Sequence, residues 1–213
     1  MKALCRWLLV LPLALASAPA LAAVTLVGTS TLGGGNGTSF TVSRPASIAV
    51  GDVLLAVVSV KQTGSAIVIT APAGWSSVVL TDAGTSEFRQ EVFWKAVAAG
   101  DPASDTFTIS SSGRAAVAML AYRGVDSLNP IAAQGGQANA SSKNVVAPSI
   151  SPAVADTMLV GFFGSSRANL TISAPASMTF QASDNSAGGP NGVYTAAADE
   201  ALAGAGATGN IFF

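Results

Sequence analysis

Val53-Leu54-Leu55-Ala56-Val57-Val58-Ser59-Val60 decides the fold. From Val53 to Val58 every residue is apolar, which suits a central strand buried on both of its faces. Outward from this run the same kind of segment recurs. Before it come Val24–Ser30 and Ser39–Ser43. After it come Ala66–Thr70, Val78–Thr81, Phe88–Val97, Asp105–Ser110 and Arg114–Tyr122. The second half continues with Val145–Ile150, Thr157–Phe163, Leu170–Ser173, Met178–Ala182 and Gly192–Ala197. These segments are rich in Val, Ile, Thr and Phe, and Gly, Pro, Asn, Asp and Ser divide them. Phe107-Thr108-Ile109-Ser110 alternates with period two, as a half-buried strand does.

Turn chemistry points the same way. Asn36-Gly37 and Asn191-Gly192 fit tight hairpins, because both residue types tolerate positive φ. Gly33-Gly34-Gly35-Asn36-Gly37 therefore reads as a flexible hairpin tip; it lacks the Lys-Ser/Thr ending of a phosphate loop. Helix competes only around Ala196–Ala205, where Gly204 and Gly206 limit its length. The expected fold is all-β: an antiparallel, jelly-roll-like β-sandwich.

Three blocks recur at nearly one offset. Val50-Gly51-Asp52-Val53-Leu54-Leu55-Ala56 resembles Val154-Ala155-Asp156-Thr157-Met158-Leu159-Val160, displaced by 104 positions. Ile69-Thr70-Ala71-Pro72-Ala73-Gly74-Trp75 resembles Ile172-Ser173-Ala174-Pro175-Ala176-Ser177-Met178, displaced by 103. Val92-Phe93 then resembles Val193-Tyr194. No linker-like segment separates the halves, so two pseudo-repeats sharing one core are expected over 23–213. In the first half Phe107–Ile109 is followed by the apolar Arg114–Tyr122. The second half reaches Ile211-Phe212-Phe213 without such a strand, so it is expected to lack its last strand or strands.

Met1–Ala22 has the form of a secretory signal peptide. Lys2 and Arg6 precede the apolar Trp7–Ala16, and Ala20-Leu21-Ala22 ends in the small-x-small cleavage pattern. The apolar run is half of what a membrane-spanning helix needs and contains Pro12. The expected location is therefore outside the cytoplasm, secreted or periplasmic, with no transmembrane segment in the mature chain. Cleavage would remove Cys5, the only cysteine, and with it any disulfide or thiol chemistry. A remaining chain of about 190 residues is long enough to bury a core without disulfides.

Composition excludes more. The 213 residues include no His, which removes Ser-His-Asp and Cys-His nucleophiles and imidazole metal ligands. Lys plus Arg total 10 against 11 Asp plus Glu, so there is no basic footprint for nucleic acid. Charged residues make up only 10%, far below the roughly 25% of ordinary domains. Such a surface relies on Ser, Thr, Asn, Gly and Ala.

Gly51-Asp52-Val53-Leu54-Leu55-Ala56, Ala73-Gly74-Trp75, Ala121-Tyr122-Arg123-Gly124-Val125-Asp126 and Asn129-Pro130-Ile131 together resemble bacterial secreted and phage-tail-like β-sandwich surface modules. Asp199-Glu200 followed by Gly206-Ala207-Thr208-Gly209 fits the same pattern. The resemblance implies a surface or fibre component, sometimes glycan-binding, and brings no catalytic residue with it.

Candidate ligand contacts are the aromatic residues Trp75, Trp94 and Tyr122, which at strand ends or outer faces would act as platforms for sugar rings. Because neighbours on a strand face opposite sides, one of Phe93 and Trp94 points away from the core. Glu87 and Glu91 share a strand face but stand roughly 13 Å apart along the backbone, beyond glycosidase spacing. Asp101 and Asp105 are the weak candidates for Ca²⁺; their spacing lacks the dense Asp/Asn-Gly pattern of a calcium loop, and no cofactor is expected. Asp52 and Asp156 suit turns that open strands. No Gly-x-Ser-x-Gly elbow or Ser-x-x-Lys motif is present. The expected function is a non-enzymatic exported module of surface, fibre or adhesin type that contacts glycan or protein. The alternative is a carbohydrate-active enzyme or its accessory binding module, using Asp/Glu and exposed Trp.

Overall fold

The computed structural model describes residues 23–62, 64–84, 88–140, 145–168, 170–186 and 191–213. The expected signal peptide and Glu87 lie outside these residues. The described residues form strands and no α-helix, and every strand pairing is antiparallel. The all-β reading is correct.

A large sheet is built from the first half of the chain. Its order is β1 (Thr25–Ser43), β6 (Ser104–Arg123), β2 (Val53–Lys61), β5 (Phe88–Ala96) and β4 (Ser76–Asp82), with the short β3 (Ile69–Thr70) pairing to β6. The second half supplies β8 (Thr157–Ser165), β10 (Tyr194–Leu202) and β9 (Thr179–Asn185) in that order. A two-stranded ribbon joins β7 (Val146–Ala147) to β11 (Ile211–Phe212).

β2 explains the layering. Leu54, Ala56, Val58 and Val60 point to one face and Val57 to the other, and all five are fully buried. On the first face they meet Val117 and Met119 of β6 and Phe93 of β5. That face is closed by Phe40, Val42, Phe107 and Ile109, which come from the far halves of β1 and β6. Phe107 lies 5.7 Å from Phe93 and 5.4 Å, edge to face, from Trp75. On the second face Val57, Leu55, Leu120 and Tyr122 pack against Ala182, Ala197 and Phe162 of the smaller sheet. Two faces of β2 are thus covered by two different layers, as its uninterrupted apolar run requires.

The first layer arises because the β1–β6 ribbon bends over. The two strands pair from Thr25↔Arg123 to Ser43↔Ser104, and the register shifts between Gly34 and Asn36 and again between Gly37 and Ser39. Ser39 pairs with Thr108 directly after Gly37 pairs with Gly113, so several β6 residues bulge opposite Thr38 alone. Here the structure corrects an expectation. Val24–Ser30 and Ser39–Ser43 are parts of a single strand, and Gly33–Gly37 is its bend rather than a hairpin tip. Two of these glycines are needed for close approach. A Cβ on Gly33 would collide with the backbone of Asn185, and one on Gly34 with the Phe40 ring that folds back over it.

The structure also decides between strand and helix around Ala196–Ala205. Its Ala-rich stretch forms most of β10, because β8 and β9 pair on both sides of it and Ala196, Ala197 and Ala198 are fully buried there. Tertiary pairing overrides helix propensity. Leu170–Ser173, expected as a strand, is irregular, although Ile172 still packs against Phe163 and Tyr194. No helix among the described residues is long and apolar enough to cross a membrane.

The bend makes a graded prediction. Gly33→Ala and Gly34→Ala should each lose about 1–3 kcal/mol, the usual range for overpacking. Gly35→Ala meets nothing within 4 Å and should stay within about 0.5 kcal/mol of the parent. Urea unfolding of the three variants gives the comparison; equal losses at all three positions would contradict the close approach.

Candidate functional site

The polar clusters come first, because they decide which candidate residues are free to act. At the start of β2, the Asp52 carboxylate accepts the Ala49 N–H at 2.7 Å and two Arg123 N–H groups at 2.9 and 2.8 Å. The Arg123 hydrogen bonds hold this carboxyl below the usual range, against the opposing effect of burial. Asp52 is therefore a turn residue that also clamps the end of β6 to the start of β2.

Asp101 and Asp105, the weak calcium candidates, do meet, but around a cation the chain already supplies. Arg44 is buried; its Nε donates to Asp105 at 2.6 Å and its Nη2 at 3.0 Å, while Nη1 lies 2.9 Å from Asp101. Lys95 Nζ donates to Asp101 at 2.8 Å. Trp75 Nε1 donates to Asp105 at 2.9 Å. Burial pushes the Asp101 carboxyl up, but the Ala98 N–H, Lys95 and Arg44 together outweigh it and hold the group well below the ordinary carboxylate range. Among the described residues no group of three or more acidic or thiol side chains is placed to hold a metal ion.

The three aromatic candidates are not brought together. Tyr122 is only 2% exposed, and its hydroxyl donates to Asp199 at 2.9 Å, where Gln181 Nε2 also donates at 2.6 Å. Burial first, then the Asp199 charge, pushes the phenol far above its ordinary pKa. So little of its surface is exposed that its ring is not an open platform, although it borders a large cavity. Trp75 is half-buried against Phe107 and tied to Asp105. Trp94 is half-buried too, and its register opposite Leu55 and Ser76 puts it on the face turned from Phe93. Glu91 accepts the Ser77 hydroxyl at 2.7 Å.

A cavity of about 1360 Å³ lies between the second face of the large sheet and β8. Leu55 and Val92 form part of its floor, the segment from Gly124 to Ala140 forms one wall, and Phe213 stands at its far side. All of β8, Thr157 to Ser165, lines it. A strand contributes every residue to one cavity only if the cavity wraps its edge, because alternate side chains point to opposite faces. Small-molecule pockets usually measure about 300–1,000 Å³; this one is larger, and its walls are mainly apolar.

Sequence reasoning did not find this cavity directly. The nearest signal was that the second-half segments include no counterpart to Arg114–Tyr122. Comparison with known proteins finds no match among protein-family models, curated proteins or solved structures.

The ion pairs set the acid response. Asp52 and Asp101 ionise more readily in the folded chain than in the unfolded one, so their contribution is complete above the ordinary carboxylate pKa of about 4. It is lost as pH falls through the depressed native values. Arg44→Met should cost about 3–5 kcal/mol at neutral pH, since it leaves the buried Asp105 carboxylate without its cation and Asp101 with Lys95 alone. It should also flatten the loss of stability below pH ~4. Denaturant titrations between pH 7 and 2 test both; an unchanged acid slope in the variant would contradict the assignment.

Proposed function

We propose that this protein is a non-enzymatic, exported β-sandwich module of a surface or fibre-type assembly, and that its cavity holds part of another protein. The observation that carries the reading is the division of labour among its side chains. Asp52, Asp101, Asp105 and Asp199 are engaged in ion pairs or hydrogen bonds that tie strands together. The cavity, in contrast, is walled mainly by aliphatic and aromatic side chains and by the edge of a strand, and its carboxylates, Asp126 and Asp156, sit among amides and hydroxyls such as Gln90, Gln134, Gln137 and Thr157. Such a surface suits recognition by burial of apolar area and by main-chain pairing, not acid–base chemistry. Export rests on the Met1–Ala22 pattern, and the low charge of the chain suits an exposed, assembly-forming surface.

The half-exposed Trp94 is what favours the second reading, an accessory carbohydrate-binding module, for which that ring would be the sugar platform. Parallel peptide and glycan arrays separate the two. The assembly reading predicts retention of extended apolar peptides that survives Trp75→Ala and Trp94→Ala. It should be abolished by Ala138→Trp, which places bulk at the cavity from an exposed loop position. Glycan retention that disappears in Trp94→Ala, without any peptide retention, would overturn it in favour of carbohydrate recognition.

A further inference from the structure

Resting on the reading just given, we propose that the part of the partner held in the cavity is a β-strand, which adds antiparallel to the open edge of β8. The large sheet itself supplies the template. β2, β4 and β5 have nine, seven and nine residues in the order β2-β5-β4. β8, β9 and β10 also have nine, seven and nine residues, in the order β8-β10-β9. The first set is completed by the C-terminal half of β6, which pairs with β2 from Val53↔Tyr122 to Val60↔Ala115. Among the described residues β8 pairs with β10 alone, and its other edge faces the cavity.

Burial follows the pairing. Seven of the nine β2 residues are buried, whereas in β8 only Leu159 and Phe163 are. The start of each strand shows the same contrast. Asp52 is buried and clamped by Arg123, the residue that follows Tyr122 on the covering strand. Asp156, at the corresponding place before β8, is exposed and makes no ion pair among the described residues. Next to it the Thr157 hydroxyl is buried with no hydrogen-bond partner among the described residues. An unpaired strand edge beside an apolar cavity is a template for another strand.

The template also sets the chemistry of the occupant. On β2 the covering strand is made of small and aliphatic residues, Ala115-Ala116-Val117-Ala118-Met119-Leu120-Ala121, followed by Tyr122 and an arginine. A strand of that kind laid antiparallel on β8 would bring its terminal arginine to Asp156 and fill the cavity with aliphatic side chains. Eight to nine residues span about 30 Å, the length of β8.

A synthetic peptide with the sequence of Gly113–Gly124 serves as the probe, with the purified protein read by hydrogen exchange and mass spectrometry. The expected result is saturable binding with exchange slowed at least tenfold over Thr157–Ser165 and unchanged over β2. A peptide carrying proline at the positions of Val117 and Met119 should not bind, because proline cannot donate to the ladder. Asp156→Ala should weaken the probe two- to fivefold, as removal of an exposed ion pair does. It should leave unchanged the affinity of a probe with leucine in place of its terminal arginine. Binding without slowed exchange in β8 would overturn strand addition and leave the assembly reading standing. Failure of this probe while other apolar peptides are retained on the array would do the same. Failure of every peptide would overturn both.

Discussion

The fold depends on one strand being paired and packed on all sides. β6 hydrogen-bonds to β1 along one edge and to β2 along the other, and every side chain from Ala115 to Tyr122 is buried. Its odd-numbered residues face Phe40 and Phe107, and Ala118, Leu120 and Tyr122 face the smaller sheet. Backbone amides have no alternative to such pairing once they are removed from water. The rest of the architecture is arranged so that β6 can have two edges and two faces covered at once.

That demand accounts for features that look unrelated in the sequence. A twenty-residue strand cannot remain straight and still return over its own sheet, so β1 and β6 bend together where glycine removes the side chains that would block the fold-back. Two of the ion pairs sit at the ends of this ribbon. Arg44 near the end of β1 binds Asp105 near the start of β6, and Arg123 at the other end of β6 binds Asp52. Each pair pins one end of the ribbon, which is why the carboxylates that might have suggested chemistry are structural.

The strand content was legible because it rests on local signals: continuous apolar runs, two-residue alternation and turn residues. The central role of Val53–Val58 followed from its composition alone. What misled, or competed, was equally local. Asn36-Gly37 has the chemistry of a hairpin, but its long partner strand captures it, and Ala196–Ala198 has the chemistry of a helix, but two flanking strands capture that. Tyr122 looked like a strand-end platform because nothing near it in sequence announces Asp199, 77 residues away, as its partner. The cavity could not be read from any one segment, since its walls come from β2, β5, the Gly124–Ala140 segment and β8.

The central claim is an asymmetry: among the described residues β2 is closed on both edges and β8 on one. Residue-resolved amide exchange in the unliganded protein tests this directly. Every amide from Val53 to Val60 should be protected, whereas along Thr157–Ser165 protection should alternate, with those directed at β10 slow and those directed at the cavity fast. Uniform, β2-like protection along the whole of β8 would contradict the claim.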